Sequence, residues 1–494
     1  MKIMLIKPPL TLPDDWMGFS PIYQPIGLAY MGATLEQNGH EVKILDTSVE
    51  KWWKVNNLDK KTKYLGMSVK DIIKSIKNFD PMLVGINLLT IDKTTSFKLI
   101  EEIKNETGKK IIVGGPHASA REMECLINKN IDFTCSGEGE YLLPRLLNSM
   151  DNGNFDYIDG LGWKEGNRIK RNKPSFIQNL DDLPFPARHL LNMKEYFRAA
   201  KWLQGARATY IRHTSVITSR GCPYSCAFCT IGLSMGHVWR PRTPENVILE
   251  LKQLVNVYDI KYVGFEDDNL TLNPKRMNKI CDLIIKEKLN EAFEWTTPNG
   301  IRADTLNKDL LIKMKKSGCK RIIVAPESGD QYVVNNIIGK KLDLKKVESV
   351  VKACKEIDLD VGCFFVVGMI GETKKQIEKT INFSKKLREY GANCACFIAR
   401  PFYGTRLYKQ AMDGGYLLKH GEDFERGLLN NNAMIKTGEF TPEELYLYQS
   451  KIANVRETSK IFETIKTRPL DAFRGFSVHP FHFTSSLAKK YIFR

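Results

Sequence analysis

Residues 215–229 have the sequence SVITSRGCPYSCAFC, and this stretch decides both the fold and the kind of site to be expected. Its apolar beginning predicts a strand, and Cys222, Cys226 and Cys229 follow in the loop after that strand. A closed metal site usually takes four protein ligands, but the chain supplies no fourth cysteine nearby. A metal group held by this loop therefore keeps one open position.

The alternation of strand and helix continues downstream of this loop. Three of the helices have clear start signals, since Thr243, Asn273 and Asp343 precede helical patterns as N-caps. Six strand and helix units in succession predict a partial (β/α)6 barrel over residues 206–410. The strands are predicted over SVITSR, IKYVGFE, FEWTT, RIIVAP, VGCFFVVG and CACFIAR.

Polar residues follow the apolar strands of this barrel. In barrels of this kind the chemistry takes place at the carboxyl ends of the strands. Solubility alone does not explain why several uncharged strands each finish in charged or amide side chains. The pattern predicts one shared site, formed by the cysteine loop and by Glu266, Asp267, Asp268, Asn269, Asn299, Arg302, Glu327, Ser328 and Arg400.

The first 150 residues form a separate α/β pattern. Short apolar runs such as KIMLIK, EVKILD and KKIIVGG alternate with amphipathic helices. They predict a doubly wound, Rossmann-like parallel sheet that is covered on both faces. Residues 151–205 are predicted to be a linker with a small hairpin and a proline-punctuated connector. Residues 411–494 are predicted to be a helical, basic C-terminal region.

Length and composition limit the class of protein. The chain has 494 residues, of which 43% are hydrophobic and 27% charged, as is typical of a globular protein of about three domains. The longest uncharged apolar run, residues 361–371, is shorter than the roughly 20 residues that span a bilayer. We expect a cytoplasmic protein whose 11 cysteines are reduced or bind metal. The net charge of +17 favours an anionic partner, although the lysines are spread along the chain.

Zinc is one alternative for the three cysteines. Closed zinc sites add a second cysteine or histidine pair, and the nearest histidines, His213 and His237, have no companion at ligand spacing. Three thiolates suit three irons of a [4Fe-4S] cluster and leave the fourth iron open to an exchangeable ligand. We therefore expect Cys222, Cys226 and Cys229 to bind such a cluster.

The pattern C-x3-C-x2-C after the first strand of a barrel, with Phe228 before its last cysteine, resembles that of the radical SAM superfamily. The resemblance covers about residues 206–410. It implies that S-adenosylmethionine binds the open iron and yields a 5′-deoxyadenosyl radical, with a reductant such as flavodoxin or ferredoxin. For Asp268 and Glu327, a helix cap or an ion pair is the alternative. The residues implied for S-adenosylmethionine are Phe228, Glu266, Asp268, Arg302, Glu327, Ser328 and Gly368.

Two glycine loops, GGPHAS at 114–119 and SGEGE at 136–140, resemble those of cobalamin-dependent radical SAM enzymes, as does the connector LPFPAR. The resemblance then extends over about 410 residues and implies a cobalamin site. No D-x-H-x-x-G motif is present, so we expect no histidine on the cobalt and interpret His117 as a loop hydrogen-bonder, with a cobalt ligand as the alternative. The residues expected near cobalamin are Leu88, Leu89, Thr90, Gly114, Gly115, His117, Ser136, Gly137, Glu138 and Gly139.

The resemblance implies transfer of a methyl group from methylcobalamin to an unactivated carbon of an anionic small molecule or a lipid. The lipid is suggested by GHVWRPR, residues 236–242, which is similar to lipid-modifying members. Radical ring formation or ring contraction on a lipid or tetrapyrrole is one alternative, and a non-catalytic cobalamin-binding sensor is another. Nucleic acid is not expected, because no C-terminal RNA-binding β-barrel pattern is apparent.

The last segment, residues 451–494, combines nine Lys or Arg with three Asp or Glu and with the aromatic residues of AFRGFSVHPFHF. Such a segment favours peripheral contact with an anionic membrane surface or with phosphate. A helix that closes the domain and presents a solvated basic face is the alternative.

Overall fold

The computed structural model describes residues 1–14, 16, 22–59, 62–203 and 211–454. Two largely parallel sheets organise the chain, one in each half. The predicted α/β class is confirmed: the first sheet is doubly wound, and the second has six parallel strands with helices between them, as in a partial barrel.

The first sheet has seven strands, and its five parallel strands follow the spatial order 2-1-3-4-5. The strand order reverses between Lys2–Lys7 and Leu83–Asn87, and ligands of such sheets bind at this point, beyond the carboxyl ends of the strands. From one edge to the other, the strands are Arg168–Arg171, Leu161–Glu165, Phe133–Cys135, Lys110–Gly114, Leu83–Asn87, Lys2–Lys7 and Glu41–Asp46.

The hairpin predicted between residues 151 and 205 is part of this first sheet. Its strand Leu161–Glu165 pairs antiparallel with Phe133–Cys135, and Arg168–Arg171 forms the outer edge. The sheet therefore continues past residue 150, the boundary expected from the sequence. The connector that follows carries short 3-10 turns at Leu180–Asp182 and Arg188–Leu190.

Helices cover both faces of the first sheet, because alternate side chains of its strand Lys2–Lys7 point to opposite faces and are apolar on both. Ile3 and Leu5 pack into one hydrophobic core, whereas Met4 and Ile6 pack into the other. The helices on the first face are Ile26–Gln37, Leu142–Ser149 and Met193–Leu203, and those on the second are Val69–Phe79 and Lys93–Thr107.

The second sheet is parallel throughout, and its strands lie in the order of the chain. The sheet is open, with the first and last of these strands at its two edges. All carboxyl ends therefore meet at one rim. The strands are His213–Val216, Tyr262–Phe265, Glu294–Thr296, Cys319–Glu327, Asp360–Val367 and Asn393–Ile398.

Three of the helices between these strands begin where the sequence predicted. Thr243, Asn273 and Asp343 are N-caps whose side chains accept hydrogen bonds from backbone N–H groups of the first turn. The longer helices are Pro244–Tyr258, Pro274–Lys286, Lys308–Lys316, Leu344–Glu356 and Lys374–Glu389.

Three further helices, Arg406–Asp413, Glu422–Leu429 and Pro442–Ala453, follow the second sheet. Leu445 and Ile452 of the last helix are buried in the core of that sheet. The basic, aromatic segment expected to contact a membrane lies almost wholly outside the described residues, which end at 454. Within the described ranges, no helix is long and apolar enough to cross a membrane.

Candidate active site

The cysteine loop leaves the first strand of the second sheet through a tight turn at Gly221. The φ of Gly221 is +80°, and a Cβ there would lie 2.2 Å from the carbonyl oxygen of Val238, so only glycine fits. The Gly221 N–H donates to Oδ2 of Asp268 at 2.8 Å. The acidic end of the second strand thus fixes the start of the loop.

The middle of the loop is held through the backbone of Ala227. Its N–H donates to the carbonyl of Ile338 at 2.8 Å, and its carbonyl accepts from the N–H of Leu407 at the same distance. The thiols of Cys222, Cys226 and Cys229 are left available for ligand binding, because none of them forms a disulfide and none is fully buried.

The three thiols suit an iron–sulfur cluster by their chemistry. Burial raises the pKa of the Cys226 thiol and raises that of Cys229 to about 11, so loading iron would release protons. Oδ1 of Asn269 is buried without a hydrogen-bond partner among the described residues, and its Nδ2 lies 3.9 Å from the Cys222 sulfur. Within the described ranges, no three His, Cys, Asp or Glu side chains are grouped to hold a single metal ion.

The acidic residues after the second strand divide into different roles. Asp267 is buried and accepts hydrogen bonds from the hydroxyls of Thr218 and Ser219, which is a structural role. Burial raises the pKa of Asp268 to about 6, although the Gly221 N–H opposes this. Burial also raises the pKa of Glu266, whose Oε1 accepts from the Ser215 hydroxyl at 3.3 Å.

Glu327, Lys340 and Arg302 form a buried cluster beside the cysteine loop. Glu327 has a φ of +66°, and its Oε1 lies 2.7 Å from Nζ of Lys340. Arg302 donates to the Lys340 carbonyl at 2.8 Å and stacks over the ring of Tyr224 in the cysteine loop, 3.7 Å from its centroid. The ion-pair alternative for Glu327 is therefore found, and it occurs next to the loop.

Ser328 and Phe228 differ in their access to this loop. The Ser328 side chain is fully buried and lies 2.9 Å from the hydroxyl of Thr380, so it is engaged with the helix behind the sheet. Phe228 packs against the small hydrophobic cluster that contains Ala227 and Met369. Of Ser328 and Phe228, only Phe228 therefore lies next to the cysteines.

Gly368 ends the fifth strand with a φ of +87° and donates its N–H to Oε2 of Glu372 at 2.8 Å. Glu372 was not predicted from the sequence as a site residue. It is fully buried, accepts a second hydrogen bond from the Met369 N–H, and its Oε1 has no partner among the described residues. Burial raises its pKa to about 7, despite both N–H donors. Its place four residues after Gly368 was the available signal.

A cavity of about 220 Å³ opens at the carboxyl ends of the first sheet, next to the point where the strand order reverses. Its walls are mainly apolar, and residues from the second half of the chain complete them. Five residues expected near cobalamin are in the lining: Gly114, Gly115, Gly137, Glu138 and Gly139. The lining also includes residues that were not expected: Gly85, Ile86 and Asn87 at the end of the neighbouring strand, and Ile217, Arg220 and Met235 across the domain boundary.

The glycines in this lining bring the backbone close to the cavity. Gly115 has a φ of +101°, and a Cβ on it would lie 2.4 Å from Oδ1 of Asn87. A Cβ on Gly139 would lie 2.6 Å from the sulfur of Met31. Glycine backbone therefore forms part of a mainly apolar wall, and side chains at these positions would displace neighbouring residues of the lining.

The other residues expected near cobalamin are not part of the cavity lining. The strand ends at Asn87, before Leu88, Leu89 and Thr90, which were expected to end it, and Leu88 is fully buried. Leu89, Thr90 and Ser136 are likewise outside the lining. Their backbone positions are taken up by turns that close the strand ends.

His117 is a buried loop residue in this structure. Its Nδ1 lies 3.1 Å from the Thr90 hydroxyl, its backbone N–H donates to the carbonyl of Leu88, and burial lowers its pKa to about 4. Nε2 has no hydrogen-bond partner among the described residues. The loop hydrogen bonds expected of this residue are present, and its side chain lies outside the cavity lining.

Ion pairs across the domain boundary join the two loops. Arg220, two residues before Cys222, lies 2.7 Å from Glu138 and 2.7 Å from Glu140 of the SGEGE loop. Arg240 lies 2.7 Å from the other oxygen of Glu138. All four side chains are at most 5% exposed. This network could not be predicted from the sequence, because its partners are about 80 to 100 positions apart in the chain.

Comparison with known proteins agrees with this geometry. The family model described as Radical SAM superfamily matches residues 216–384, and the B12 binding domain model matches residues 19–147. An uncharacterized methyltransferase of Pyrococcus horikoshii is 33% identical over 427 residues, which cover 85% of this chain and 84% of that protein. The chain belongs to the cobalamin-dependent radical SAM enzymes.

Other relatives of this radical SAM enzyme include the cytidylyl-2-hydroxyethylphosphonate methyltransferase of Streptomyces wedmorensis. It is 28% identical over 456 residues, which cover 84% of this chain and 82% of that protein. Among solved structures, the radical S-adenosylmethionine methyltransferase TsrM from Kitasatospora setae has a TM-score of 0.65 at 16% identity, covering 85% of this chain and 78% of TsrM. OxsB, a cobalamin-dependent S-adenosylmethionine radical enzyme, has a TM-score of 0.70 at 16% identity, covering 98% of this chain and 71% of OxsB.

The cofactors of the radical SAM enzyme follow from its family and its fold. They are a [4Fe-4S] cluster, S-adenosylmethionine and cobalamin, as expected from the cysteine and glycine motifs. It takes a substrate and a reductant, and its relatives support methyl transfer as the activity. The assignment of individual residues to each cofactor stays a prediction.

Proposed function

We propose that this enzyme transfers a methyl group to an unactivated carbon of a small anionic molecule. Two of the relatives that align over most of the chain are named methyltransferases, and one is named for a phosphonate substrate. The net charge of +17 is consistent with an anionic substrate.

We assign the cofactors to two places, the cysteine loop of the second sheet and the glycine-lined cavity of the first sheet. Cys222, Cys226 and Cys229 would hold the cluster, and Glu327 with the backbone of Phe228 would face S-adenosylmethionine. The glycine-lined cavity of the first sheet would hold cobalamin. When bound, these groups supply a hydrogen-abstracting radical and a transferable methyl group. A flavodoxin or ferredoxin is our proposed reductant.

The observation that carries the proposal is the buried contact of Arg220 with Glu138 and Glu140. Because Arg220 is two residues from Cys222, this contact fixes the start of the cysteine loop against the glycine loop of the first sheet. Arg220 and Met235 also line the cavity of the first sheet. The contact therefore fixes the cysteine loop relative to this cavity, and cofactors bound at the two places would keep a fixed relative position.

A second cavity supports a substrate position between the two halves. Its volume is about 490 Å³, and its lining is more polar than that of the first cavity. Gln24 comes from the first half, whereas Ser215, Glu266 and Asn299 come from the carboxyl ends of the second sheet. Glu266 would hydrogen-bond to the substrate here, and burial raises the pKa of its carboxyl group.

The stretch that suggested a lipid substrate has a structural role. Within GHVWRPR, Arg240 pairs with Glu138, and Arg242 pairs with Glu250, all in the buried interior. This stretch therefore no longer supports a lipid over a small molecule. Any membrane contact by residues 455–494 lies outside the described residues, and binding of the full chain to anionic vesicles would test it.

Anaerobic reconstitution tests the proposed function. The full chain is loaded with iron, sulfide and cobalamin and is incubated with reductant, methyl-deuterated S-adenosylmethionine and an anionic metabolite fraction. Methyl transfer predicts 5′-deoxyadenosine, S-adenosylhomocysteine and a product that carries the deuterated methyl group. The matched control is Cys229→Ala, which should form neither coproduct above background.

The alternatives give different products in the same assay. Ring formation or contraction would give 5′-deoxyadenosine without deuterium in the product. A cobalamin sensor would give neither coproduct, although it would bind cobalamin. Either result would overturn the proposed methyl transfer.

A further inference from the structure

Arg400 follows the last strand of the second sheet, at the rim where the carboxyl ends of its strands meet. It directly follows Ala399, which packs in the same hydrophobic cluster as Ala227 of the cysteine loop. Three residues later, Tyr403 packs in a cluster that Ala120 of the first domain joins. The backbone on the two sides of Arg400 therefore packs against two clusters, one that includes the cysteine loop and one that includes the first domain.

The guanidinium of Arg400 has a neutral partner only. Its Nε donates to Oδ1 of Asn431 at 3.0 Å, and its Nη2 donates to the same oxygen. No carboxylate lies within 4 Å of it in the part of the chain that the structure describes. Burial lowers its pKa, with no nearby acid to oppose this. A half-buried cation without a counter-charge is costly, so the position favours an anion from outside the chain.

The other buried arginines have their charge compensated within the chain. Five of them form ion pairs with carboxylates: Arg188, Arg220, Arg240, Arg242 and Arg302. Arg276 forms no such pair among the described residues; it donates to the carbonyls of Arg242 and Thr218, and burial lowers its pKa to about 10 although the charge of Asp267 opposes this. Arg400 differs from all of these, since a single amide oxygen is its partner and it stands at the rim of the sheet.

We propose that Arg400 binds an oxyanion of the substrate, either a carboxylate or a phosphoryl or phosphonyl group. This inference rests on the proposed function and deepens it by naming the substrate's recognition group. Asn431 occupies the edge of the guanidinium formed by Nε and Nη2, and the edge formed by Nη1 and Nη2 remains for two parallel hydrogen bonds to oxygen. A lysine cannot reproduce that fork.

The test is anion binding to the full chain, reconstituted anaerobically with cluster and cobalamin and saturated with S-adenosylmethionine so that the cofactor sites are filled. Isothermal titration with ethylphosphonate and with propionate distinguishes the two oxyanions, and 1-propanol is the neutral comparison. We expect wild type to bind at least one anion and not propanol. Arg400→Gln should weaken that binding roughly 10- to 100-fold, and Arg400→Lys should recover only part of it.

Controls separate this role from a structural one and from the proposed function. Arg168→Gln, at an exposed position on the outer hairpin, should bind the anion like wild type. The inference is overturned if wild type binds neither anion, if Arg400→Gln binds it equally well, or if that variant instead loses affinity for S-adenosylmethionine or cobalamin. These titrations need no turnover, whereas failure of methyl transfer appears in the coproduct assay, so the two failures are distinguishable.

Discussion

The cavity of the first sheet is walled mainly by glycine backbone and apolar side chains, with ion-paired residues only where it meets the second half of the chain, whereas the rim of the second sheet is held by charged side chains in ion pairs. In the first region, the shape of the backbone decides what can enter. In the second, compensated charges fix the geometry around the cysteine loop. One region therefore depends on the absence of side chains, and the other on the exact partners that side chains find.

Breaking an ion pair at the domain boundary should have the largest effect on the free energy of unfolding. Arg220→Met leaves Glu140 buried without its cation, and breaking such a buried pair costs about 3–5 kcal/mol of the free energy of unfolding. Chemical denaturation of the full chain measures it. The control is Lys77→Met, whose ion pair with Glu106 is about half exposed and should contribute about 0–1 kcal/mol.

A double variant sharpens the same test. Adding Glu140→Gln to Arg220→Met removes the uncompensated carboxylate and should recover part of the lost stability. Equal losses in Arg220→Met and in Lys77→Met would show that the boundary charges do not hold the rim, and the contrast between the two regions would fail.

Glu372 carries the second effect, which depends on pH. Its folded pKa of about 7 lies above the ordinary value of 4.5, so the folded state binds the proton more tightly than the unfolded state. This contribution to stability is complete below pH 4.5 and is lost as pH rises through 7. The loss is on the order of 3 kcal/mol. Denaturation of Glu372→Gln should lack this part of the pH dependence, and identical pH profiles for the two proteins would contradict the prediction.

Gly115 tests the first region with a smaller effect. Gly115→Ala forces a Cβ toward Asn87 at a positive φ, which should cost about 1–3 kcal/mol and weaken cobalamin binding roughly 10-fold or more. Absorbance titration of the folded variant with cobalamin measures the affinity. Gly108→Ala also sits at a positive φ, but no atom lies within 4 Å of the added Cβ. It should lose about 1 kcal/mol of stability and keep its cobalamin affinity. Equal cobalamin affinity in the two variants would contradict the assignment of cobalamin to the glycine-lined cavity.

Local patterns predicted most of the fold and the centre of the site. All six strands of the second sheet and the N-caps Thr243, Asn273 and Asp343 were predicted, because alternating apolar runs and capping residues are local signals. The cysteine loop and the glycine loops were found through short motifs. Both kinds of signal are contained within about ten residues.

Long-range pairing could not be predicted in the same way. The hairpin at Leu161–Glu165 joins the first sheet through pairing with Phe133–Cys135, which no local pattern specifies. The ion pairs of Arg220 join residues about 80 positions apart, and the turn that buries Leu88 depends on a hydrogen bond to Gly114 in the next strand. Tertiary contacts therefore decided which motif residues reach the cavity.

The central claim is that three cysteines of one loop hold a [4Fe-4S] cluster whose remaining iron binds S-adenosylmethionine. Mössbauer spectroscopy of the full chain, reconstituted anaerobically with 57Fe, measures this most directly. We predict one cubane cluster per chain, with one iron site whose signal changes when S-adenosylmethionine is added, and loss of the cluster in Cys226→Ala. A mononuclear metal centre, or a cluster whose spectrum does not respond to S-adenosylmethionine, would contradict the account.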